Sequence, residues 1–234
     1  MKTIRLPEPQ VDIRHFRLKD INMPQYHHFW LLLFWPAYYL RYFLVELLNP
    51  AGSVCHVMHT ALDDLIPLWE IFLIPYGLWM VLMLALTAFT MIYDVDAFKK
   101  YIKYLIITIT VSTTVFIVYP TCQNLRPNTF ERNNFFTWIL GIVYQVDTNT
   151  NVCPSEHVIG SMAMLATALN CRYLSDKLWK KVVVTISMIL VSLSTVFLKQ
   201  HSLLEVIYAL PLCAAAYVLV FKPFSLRNRR TAEI

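Results

Sequence analysis

The sequence has little charge for its length, which argues against a soluble domain. Charged residues make up 15% of the 234 residues, and hydrophobic residues make up 57%. A soluble domain usually carries about a quarter charged residues. Residues 1–27 lack the apolar core of a secretory signal, so we expect none. The apolar residues that dominate the composition are gathered into long runs, which predicts a protein that uses lipid as its solvent.

Six apolar runs are candidate membrane spans. A helix of about 20 residues crosses the bilayer core, and the shorter runs can gain length from flanking aromatic residues. Because backbone polar groups in lipid need internal partners, each run should be helical. We therefore predict an all-α fold, a polytopic membrane protein with a bundle of six transmembrane helices. The runs are Phe29–Leu48, Leu65–Tyr93, Tyr104–Tyr119, Val158–Leu174, Val182–Leu198 and Leu203–Phe221.

Two segments depart from the pattern of long apolar runs. The fourth run is the least apolar, but small residues such as Gly160 and Ala163 suit close packing between helices. The stretch FFTWILGIVY is too short to span, so it should lie at the membrane interface or fold over the bundle. We predict a single transmembrane catalytic domain over residues 28–221, between a cytoplasmic segment (residues 1–27) and a basic cytoplasmic tail (residues 222–234).

Positive charge is confined to alternate loops. Of the 20 Lys and Arg residues, 16 lie before the first run, after the sixth, or in the second and fourth loops between runs. This bias places both termini in the cytoplasm. The net charge of +5 then reflects topology and contact with anionic lipid headgroups, and we expect no nucleic-acid partner. The 16 residues are Lys2, Arg5, Arg14, Arg17, Lys19, Lys99, Lys100, Lys103, Arg172, Lys177, Lys180, Lys181, Lys222, Arg227, Arg229 and Arg230.

The other four cations are unusual in their position. Arg41 lies within the first run, where it can reach a headgroup or pair inside the bundle, and we favour pairing. Arg126, Arg132 and Lys199 fall on the outer side, which the topological bias otherwise keeps poor in positive charge. Two of these three lie close to histidines, which indicates a functional region.

Three outer segments carry groups suited to phosphate chemistry. They are YPTCQNLRP (residues 119–127), PSEH (residues 154–157) and STVFLKQHSLLE (residues 194–205). Because all three meet the same membrane surface, they can converge. Arg126 offers a planar fork of donors that fits phosphate, and Ser155 can form an anion site with the free N–H groups of the helix that follows. Pro154 and Ser155 can equally well serve only to begin and cap that helix.

Two histidines in these segments can move protons near neutral pH. His157 directly precedes the fourth run, and His201 lies between the fifth and sixth runs. Glu205 follows His201 by four residues, so on a helix its carboxylate can hold the imidazole N–H. SLLE at residues 202–205 also reads as a capping box in which Glu205 reaches back to Ser202. The combined pattern predicts phosphoryl transfer with a histidine nucleophile.

The same residues resemble the type 2 phosphatidic acid phosphatase superfamily. Its members carry Lys-x6-Arg-Pro, then Pro-Ser-x-His, then Ser-Arg-x5-His-x3-Asp. The chain matches the second motif in full, the first at Arg126-Pro127, and the third at Ser194 and His201. The resemblance implies a metal-independent lipid phosphatase or phosphotransferase that needs no cofactor. It also implies that His201 is the nucleophile, that His157 is the general acid, and that Arg126, Ser155 and Ser194 bind phosphate.

Three positions depart from the family pattern. Tyr119 stands where the first-motif lysine belongs, Thr195 replaces the third-motif arginine, and Glu205 replaces the aspartate. Loss of two cations weakens a site for a doubly charged phosphate, and we expect Lys199 or Arg132 to compensate. The Ser-Thr pair also resembles the branch that contains inositol phosphorylceramide synthase-like transferases, which keeps transfer to an alcohol open. Thr195 and Lys199 are therefore counted with the expected phosphate ligands.

The substrate class predicted here is an amphiphile with a terminal phosphate or pyrophosphate, whose tails remain among membrane lipids. We expect the site on the extracytoplasmic face, with the plasma membrane as the favoured location; the oligomeric state stays open. The alternatives are a phosphotransferase and a non-catalytic lipid-binding or transport protein. CHVMHTALDD (residues 55–64) loosely resembles a metal site, although a loop that covers the bundle is favoured over zinc. Cys55, Cys122 and Cys153 are predicted outside and can pair, with no pairing preferred.

Overall fold

The computed structural model describes residues 8–50 and 52–222. The basic positions Lys2, Arg5, Arg227, Arg229 and Arg230, and all of the predicted tail after Lys222, lie outside the described residues. Within them the chain is mostly helical. The α-helices are α1 (Phe34–Leu48), α2 (Ala61–Leu65), α3 (Leu73–Tyr93), α4 (Val95–Val118), α5 (Phe135–Val146), α6 (Glu156–Asn170), α7 (Leu178–Phe197) and α8 (Leu203–Phe221). Two short strands, β1 (His56–Val57) and β2 (Thr121–Cys122), pair in parallel.

Within residues 8–50 and 52–222, five helical segments are long and apolar enough to cross a membrane. They are His27–Leu48, Glu70–Tyr93, Val95–Val118, Leu178–Phe197 and Leu203–Phe221. Large apolar side chains such as Leu47, Val81 and Ile186 point out of the bundle and are exposed. Exposed apolar faces on long helices are consistent with an integral membrane protein, because lipid rather than water then covers them.

The fourth predicted run is the exception in length. It forms α6, which has 15 residues and so is about 22 Å long, shorter than the bilayer core of about 30 Å. Its position in the bundle agrees with the small residues predicted to allow close packing. A Cβ atom added to Gly160 would lie 2.8 Å from the ring of Trp79 on α3, so the two helices approach as closely as glycine permits.

The predicted boundary between the second and third runs is wrong. We expected Lys99, Lys100 and Lys103 in a loop, but α4 begins at Val95 and these lysines lie on its first turns. Asp94 ends α3 and caps α4, since its carboxylate accepts from the Ala97 N–H at 3.2 Å. Lysines are compatible with the end of a membrane helix because their long side chains can extend past the apolar part.

The second run also begins later than predicted. A short 3-10 turn over Glu70–Phe72 precedes α3, whereas the predicted run started at Leu65. Pro67 lies before this turn and lacks the N–H that a continuous helix requires there. The short apolar stretch that we could not place forms α5, whose fully buried Leu140 packs with Leu73 and Leu198. The second of our two alternatives, folding over the bundle, is therefore what the structure contains.

The antiparallel order of the helices gives the bundle two different ends. We call the end where α4 and α7 finish and α6 and α8 begin the loop end. There Asn49 donates to the Phe116 carbonyl oxygen at 2.9 Å, and the Ser155 N–H donates to the Glu205 carbonyl oxygen at 3.2 Å. At the opposite end, the Arg172 N–H donates to Asp94 at 3.1 Å. The predicted site segments thus share one end of the bundle, and the lysines of α4 lie at the other.

Candidate functional site

A cavity of about 410 Å³ lies at the loop end between α1, α3, α4 and α6. Half of its lining residues are aromatic or apolar, and the other half are polar or ionisable. Two of the lining residues are His157 and His201, which the sequence singled out. An apolar pocket that holds a few convergent polar groups is the usual form of a small-molecule site.

The two histidine rings meet at the cavity. Nδ1 of His157 lies 3.2 Å from Nε2 of His201. The other nitrogen of His201, Nδ1, is hydrogen-bonded to Oε2 of Glu205, whose side chain is fully buried. The His157 ring stacks between Tyr76 and Trp79, with centroid distances of 4.7 and 4.4 Å. Packing and hydrogen bonds therefore hold both rings in place.

The Glu205 contact decides which nitrogen of His201 is available. A carboxylate accepts hydrogen bonds, so Nδ1 of His201 carries the proton and Nε2 holds a lone pair that faces His157 and the cavity. Burial lowers the pKa of His201 to about 4, because a charged ring loses its hydration there. The ring is thus neutral near pH 7, as a nucleophile must be.

A tight reversal between α7 and α8 places His201. The N–H groups of Gln200 and His201 both donate to the carbonyl oxygen of Thr195, at 2.9 and 3.1 Å. Lys199 adopts a left-handed backbone conformation with φ of 55°, which turns the chain. Oδ1 of the buried Asp63 then accepts from the Leu203 N–H at 2.8 Å and caps α8. The Thr195 hydrogen bonds, the turn at Lys199 and the Asp63 cap together fix the position of His201.

Arg126 lies behind the cavity. Its guanidinium donates to the carbonyl oxygens of Tyr144 and Thr148, at 3.0 and 2.9 Å, and to Oε1 of Gln200. It also lies 4.7 Å from the centroid of the Tyr144 ring. Burial lowers the pKa of Arg126 from its ordinary value, although the group stays cationic at neutral pH. Gln200 lines the cavity and Arg126 does not, so the cation acts on the cavity through that amide.

The structure does not bring the other predicted phosphate ligands to the cavity. The buried hydroxyl groups of Ser194 and Thr195 donate back to helix carbonyl oxygens at 2.6 and 2.8 Å. Short hydroxyl side chains do this when no outside partner is in reach. Ser155 caps α6 by accepting from the Val158 N–H, which is the plainer of its two predicted roles.

The two cations expected to compensate for the missing family residues point elsewhere. Lys199 donates to the Asp63 carbonyl oxygen at 2.6 Å, and Arg132 pairs with Glu70 at 3.3 Å. Burial lowers the pKa of Lys199. Tyr119, which stands at the family's lysine position, stacks on His56 with a centroid distance of 3.8 Å. Each of these side chains is engaged by a partner at the loop end, and none of them lines the cavity that holds the histidine pair.

Several cavity residues were missed or only partly recognised from the sequence. Glu156 forms two hydrogen bonds with Arg41, at 2.8 and 2.7 Å, and accepts from Tyr38 and Ser112 at 3.1 and 3.2 Å. The expectation that Arg41 pairs inside the bundle is confirmed, but its partner was not predicted. Glu156 occupies the variable position of the Pro-Ser-x-His motif, and a carboxylate next to a motif histidine at a helix start was the available signal.

Two further carboxylates line the cavity near these groups. Glu46 accepts from Thr148 and Asn151, at 2.7 and 2.9 Å. Asp147 accepts from the Tyr76 hydroxyl at 2.7 Å. The sequence placed Glu46 in a span, where ionisable groups usually face the bundle. Asp147 lies in a loop with no motif around it, so nothing in the sequence pointed to it.

The segment over residues 55–64 and the start of α8 had more than one interpretation from the sequence, and the structure decides between some of them. Ser202 is the N-cap residue of α8, as the capping alternative predicted, but its side chain makes no cap bond, and Glu205 bonds to His201. Cys55 and Cys122 form a disulfide, whereas Cys153 is free and buried. In residues 8–50 and 52–222, no group of three or more His, Cys, Asp or Glu side chains is arranged to hold a metal ion.

No protein-family model, curated protein or solved structure matches this chain. The case for a function therefore depends on the arrangement of side chains around the cavity. That arrangement combines a histidine nitrogen whose lone pair faces a second ring, the capacity of that ring to move a proton, and an apolar volume for a substrate.

Proposed function

We propose that this chain is a metal-independent, integral-membrane lipid phosphatase that works through a phosphohistidine. The observation that carries the proposal is the ordered series Glu205, His201, His157 at the cavity, with Nε2 of His201 facing the second ring at 3.2 Å. A carboxylate that orients one histidine toward another is the arrangement of a nucleophile with its supporting acid and base. The motif resemblance adds support from the same residues.

The reaction follows from this geometry. The phosphoryl group of the substrate displaces the 3.2 Å contact between the two rings, and the Nε2 lone pair of His201 attacks phosphorus. His157 takes up a proton when the anionic phosphate binds. The bond from phosphorus to the ester oxygen breaks, and His157 gives this proton to that oxygen, which leaves as an alcohol. Water then attacks the phosphohistidine while His157 takes a proton, and the bond between phosphorus and nitrogen breaks. Arg126, through Gln200, supplies the positive charge nearest to this path.

The proposed substrate is an amphiphile with a phosphomonoester or pyrophosphate. Two large exposed apolar side chains on α1, Tyr39 and Phe43, also line the cavity, so a lipid tail could remain in the bilayer while its headgroup enters. The short α6 serves in this proposal as the sixth span, with both termini cytoplasmic and the loop end outside. The Cys55–Cys122 disulfide at the loop end supports that orientation, because disulfides persist in oxidising compartments.

A phosphotransferase is the second candidate. His201 is only 7% exposed, and so limited access of water to the phosphohistidine favours an alcohol acceptor. The first half of the reaction is unchanged, and the acceptor hydroxyl replaces water in the second half. The two candidates differ in whether phosphate is released when no acceptor is present.

The test is phosphate release from lipid phosphates in mixed micelles with EDTA present. We expect release by the wild-type protein and a loss of at least about a thousandfold in His201→Ala, because the nucleophile is removed. His59→Ala is the matched control, since His59 is exposed on the outer loop and paired with Asp64. It should retain wild-type rates.

The same preparation separates the alternatives. Transfer of the phospho group to an added alcohol, without release in its absence, identifies the phosphotransferase. Folded protein that forms no phosphoenzyme, releases no phosphate and transfers none is a non-catalytic lipid-binding or transport protein, and that result overturns the proposal.

A further inference from the structure

The charges that line the cavity do not suit a phosphate dianion alone. Arg41 and Glu156 neutralise each other through two short hydrogen bonds. Glu46 and Asp147 remain, so the lining carries one positive and three negative side chains, a formal balance of −2 with both histidine rings counted as neutral. Like charges brought together in a poorly hydrated site repel one another. The part of the substrate that fills the cavity away from the histidines should therefore be neutral or positive.

The aromatic residues that line the cavity favour a positive group over a neutral one for this part of the substrate. Tyr38, Tyr39 and Tyr42 on α1 and Trp79 on α3 all line the cavity. The faces of such rings attract ammonium groups. One of these rings already binds a cation within the protein, because the Arg41 guanidinium lies 4.9 Å from the centroid of Tyr38. Aromatic faces combined with carboxylates are the usual surroundings of a bound ammonium group.

Asp147 has the capacity to bind such a group. Among the described side chains, Tyr76 is its only hydrogen-bond donor, and it occupies Oδ2. Oδ1 is left with free acceptor capacity in a residue that lines the cavity together with both histidines. By contrast, both oxygens of Glu46 are occupied by Thr148 and Asn151. Asp147 is thus the carboxylate best placed to accept hydrogen bonds from a ligand.

We infer that the substrate is zwitterionic, a phosphate ester with a protonated amine a few bonds from phosphorus, and that Asp147 and the tyrosine faces of α1 hold the ammonium group. This inference rests on the proposed function and names its substrate class. The amine removes the charge conflict, since it brings its own cation into a cavity with few free ones. It also accounts for the absence of the two family cations, because the substrate supplies positive charge next to its own phosphate.

Two kinds of lipid have this chemistry, and their products distinguish them. In a long-chain amino-alcohol phosphate, the amine belongs to the lipid, and the products are inorganic phosphate and the amino alcohol. Phosphatidylethanolamine is a phosphodiester, unlike the monoester and pyrophosphate substrates proposed above, and its amine belongs to the headgroup. Attack by His201 then breaks the bond from phosphorus to the diacylglycerol oxygen, and water releases phosphoethanolamine from the histidine.

The experiment compares each amine lipid with its N-acetylated form, which keeps the phosphate and chains but removes the charge. The probes are sphinganine 1-phosphate and phosphatidylethanolamine, each with its N-acetyl partner, and phosphatidic acid as a lipid without an amine. For at least one pair, we expect the wild-type protein to turn over the amine about tenfold faster, the size expected for a partly buried ammonium–carboxylate contact.

Asp147→Asn tests the carboxylate, because asparagine can still accept from Tyr76 but carries no charge. The ratio of amine to N-acetyl turnover should fall toward one in this variant. Asp64→Asn is the matched control, since it removes the same charge from an exposed outer-loop residue outside the cavity, and its ratio should equal that of the wild type. If Asp147→Asn fails to fold, the wild-type ratio still decides the inference.

The outcomes separate the two levels of the proposal. Turnover of phosphatidic acid with N-acetyl lipids cleaved as fast as amines overturns the inference and leaves the proposed function intact. An amine preference that survives Asp147→Asn overturns the role of Asp147. No turnover of any of the five lipids removes the proposed function and, with it, the inference.

Discussion

At the scale of single residues, the site depends on a histidine that stays neutral. His201 is buried, and its surroundings include Glu205 on Nδ1, His157 on Nε2, and the charges of Arg126, Asp147 and Glu156 further away. The desolvation of a charged ring outweighs the favourable carboxylates, so the pKa of His201 falls from 6.5 to about 4. A nucleophilic nitrogen is thereby available over the whole neutral range.

This shift predicts a pH dependence of stability. Between pH 6.5 and pH 4, the unfolded chain binds a proton at His201 and the folded protein does not, so the free energy of unfolding falls as pH falls through this window. The loss reaches roughly 3 kcal/mol at the acid end and is absent above pH 6.5. Thermal unfolding in detergent at a series of pH values measures it.

His201→Gln isolates the contribution of this ring from the titration of carboxylates. Glutamine can still bond to Glu205 but does not titrate, so its stability should depend less on pH than that of the wild type. The difference between the two proteins should shrink as pH falls. Parallel curves from pH 7 to pH 4 would contradict the assignment of a lowered pKa to His201.

At the scale of elements, the segment between α1 and α3 fixes the start of α8. Asp63, on α2, is almost fully buried and accepts from the Leu203 N–H at 2.8 Å, while its Oδ2 accepts from the Thr60 N–H at 2.8 Å. Its backbone oxygen accepts from Lys199 at 2.6 Å. Asp63 thus connects the segment between α1 and α3 to both sides of His201. It also supplies the helix cap that the Ser202 side chain does not.

Asp63→Ala should therefore lower turnover even though Asp63 does not line the cavity. Loss of a helix cap costs about 1 kcal/mol, and the same change frees the segment that holds His201 against Glu205. We expect turnover to fall about tenfold, mainly through kcat, and the melting temperature to fall by a few degrees. Asp63→Asn should recover much of both, since its amide oxygen can cap α8.

Asp64→Ala is the matched control for this element. Asp64 is the next residue on α2, is exposed, and pairs only with His59 among the described side chains. If Asp64→Ala and Asp63→Ala reduce turnover equally, the effect belongs to the loop in general and not to the cap on α8.

The same elements mark what the sequence could predict. The helical, membrane-type architecture followed from the apolar runs, because their length alone excludes other solutions in lipid. The segments that carry His157 and His201 were identified from short motifs and the shared end of the bundle. Side-chain direction was not predictable. Ser194 and Thr195 turn back to their own helix, and whether a hydroxyl does so depends on packing that a sequence pattern does not contain.

Pairs between distant parts of the chain were equally out of reach. Arg41 and Glu156 lie 115 residues apart, and Asp63 and Leu203 lie 140 apart. Each residue was visible as an ionisable group in an unusual place, or as an ordinary loop residue, but the partner depends on how the helices assemble. The predicted start of α4 was wrong for a local reason, because the Asp94 cap lets the helix begin among charged residues.

At the scale of the whole molecule, the disulfide links two segments at the loop end, one before α2 and one after α4. Cys55 and Cys122 are 67 residues apart, and the strands β1 and β2 pair beside them. Gln123 follows directly and donates to the Lys199 carbonyl oxygen at 3.0 Å, so the cross-link also borders the reversal that positions His201. The bond therefore contributes both to global stability and to order at the loop end.

Reduction should destabilise the protein and identify the compartment of the loop end. Closing a loop of this length stabilises a fold by about 2–4 kcal/mol, so a reductant should lower the melting temperature of the wild type to that of Cys55→Ser. The reductant should have no effect on Cys55→Ser itself. In sealed cells or vesicles of native orientation, a reductant that does not cross membranes should act only if the loop end faces outward. Protection of the disulfide until the membrane is opened would reverse the proposed orientation, and with it the side from which the substrate enters.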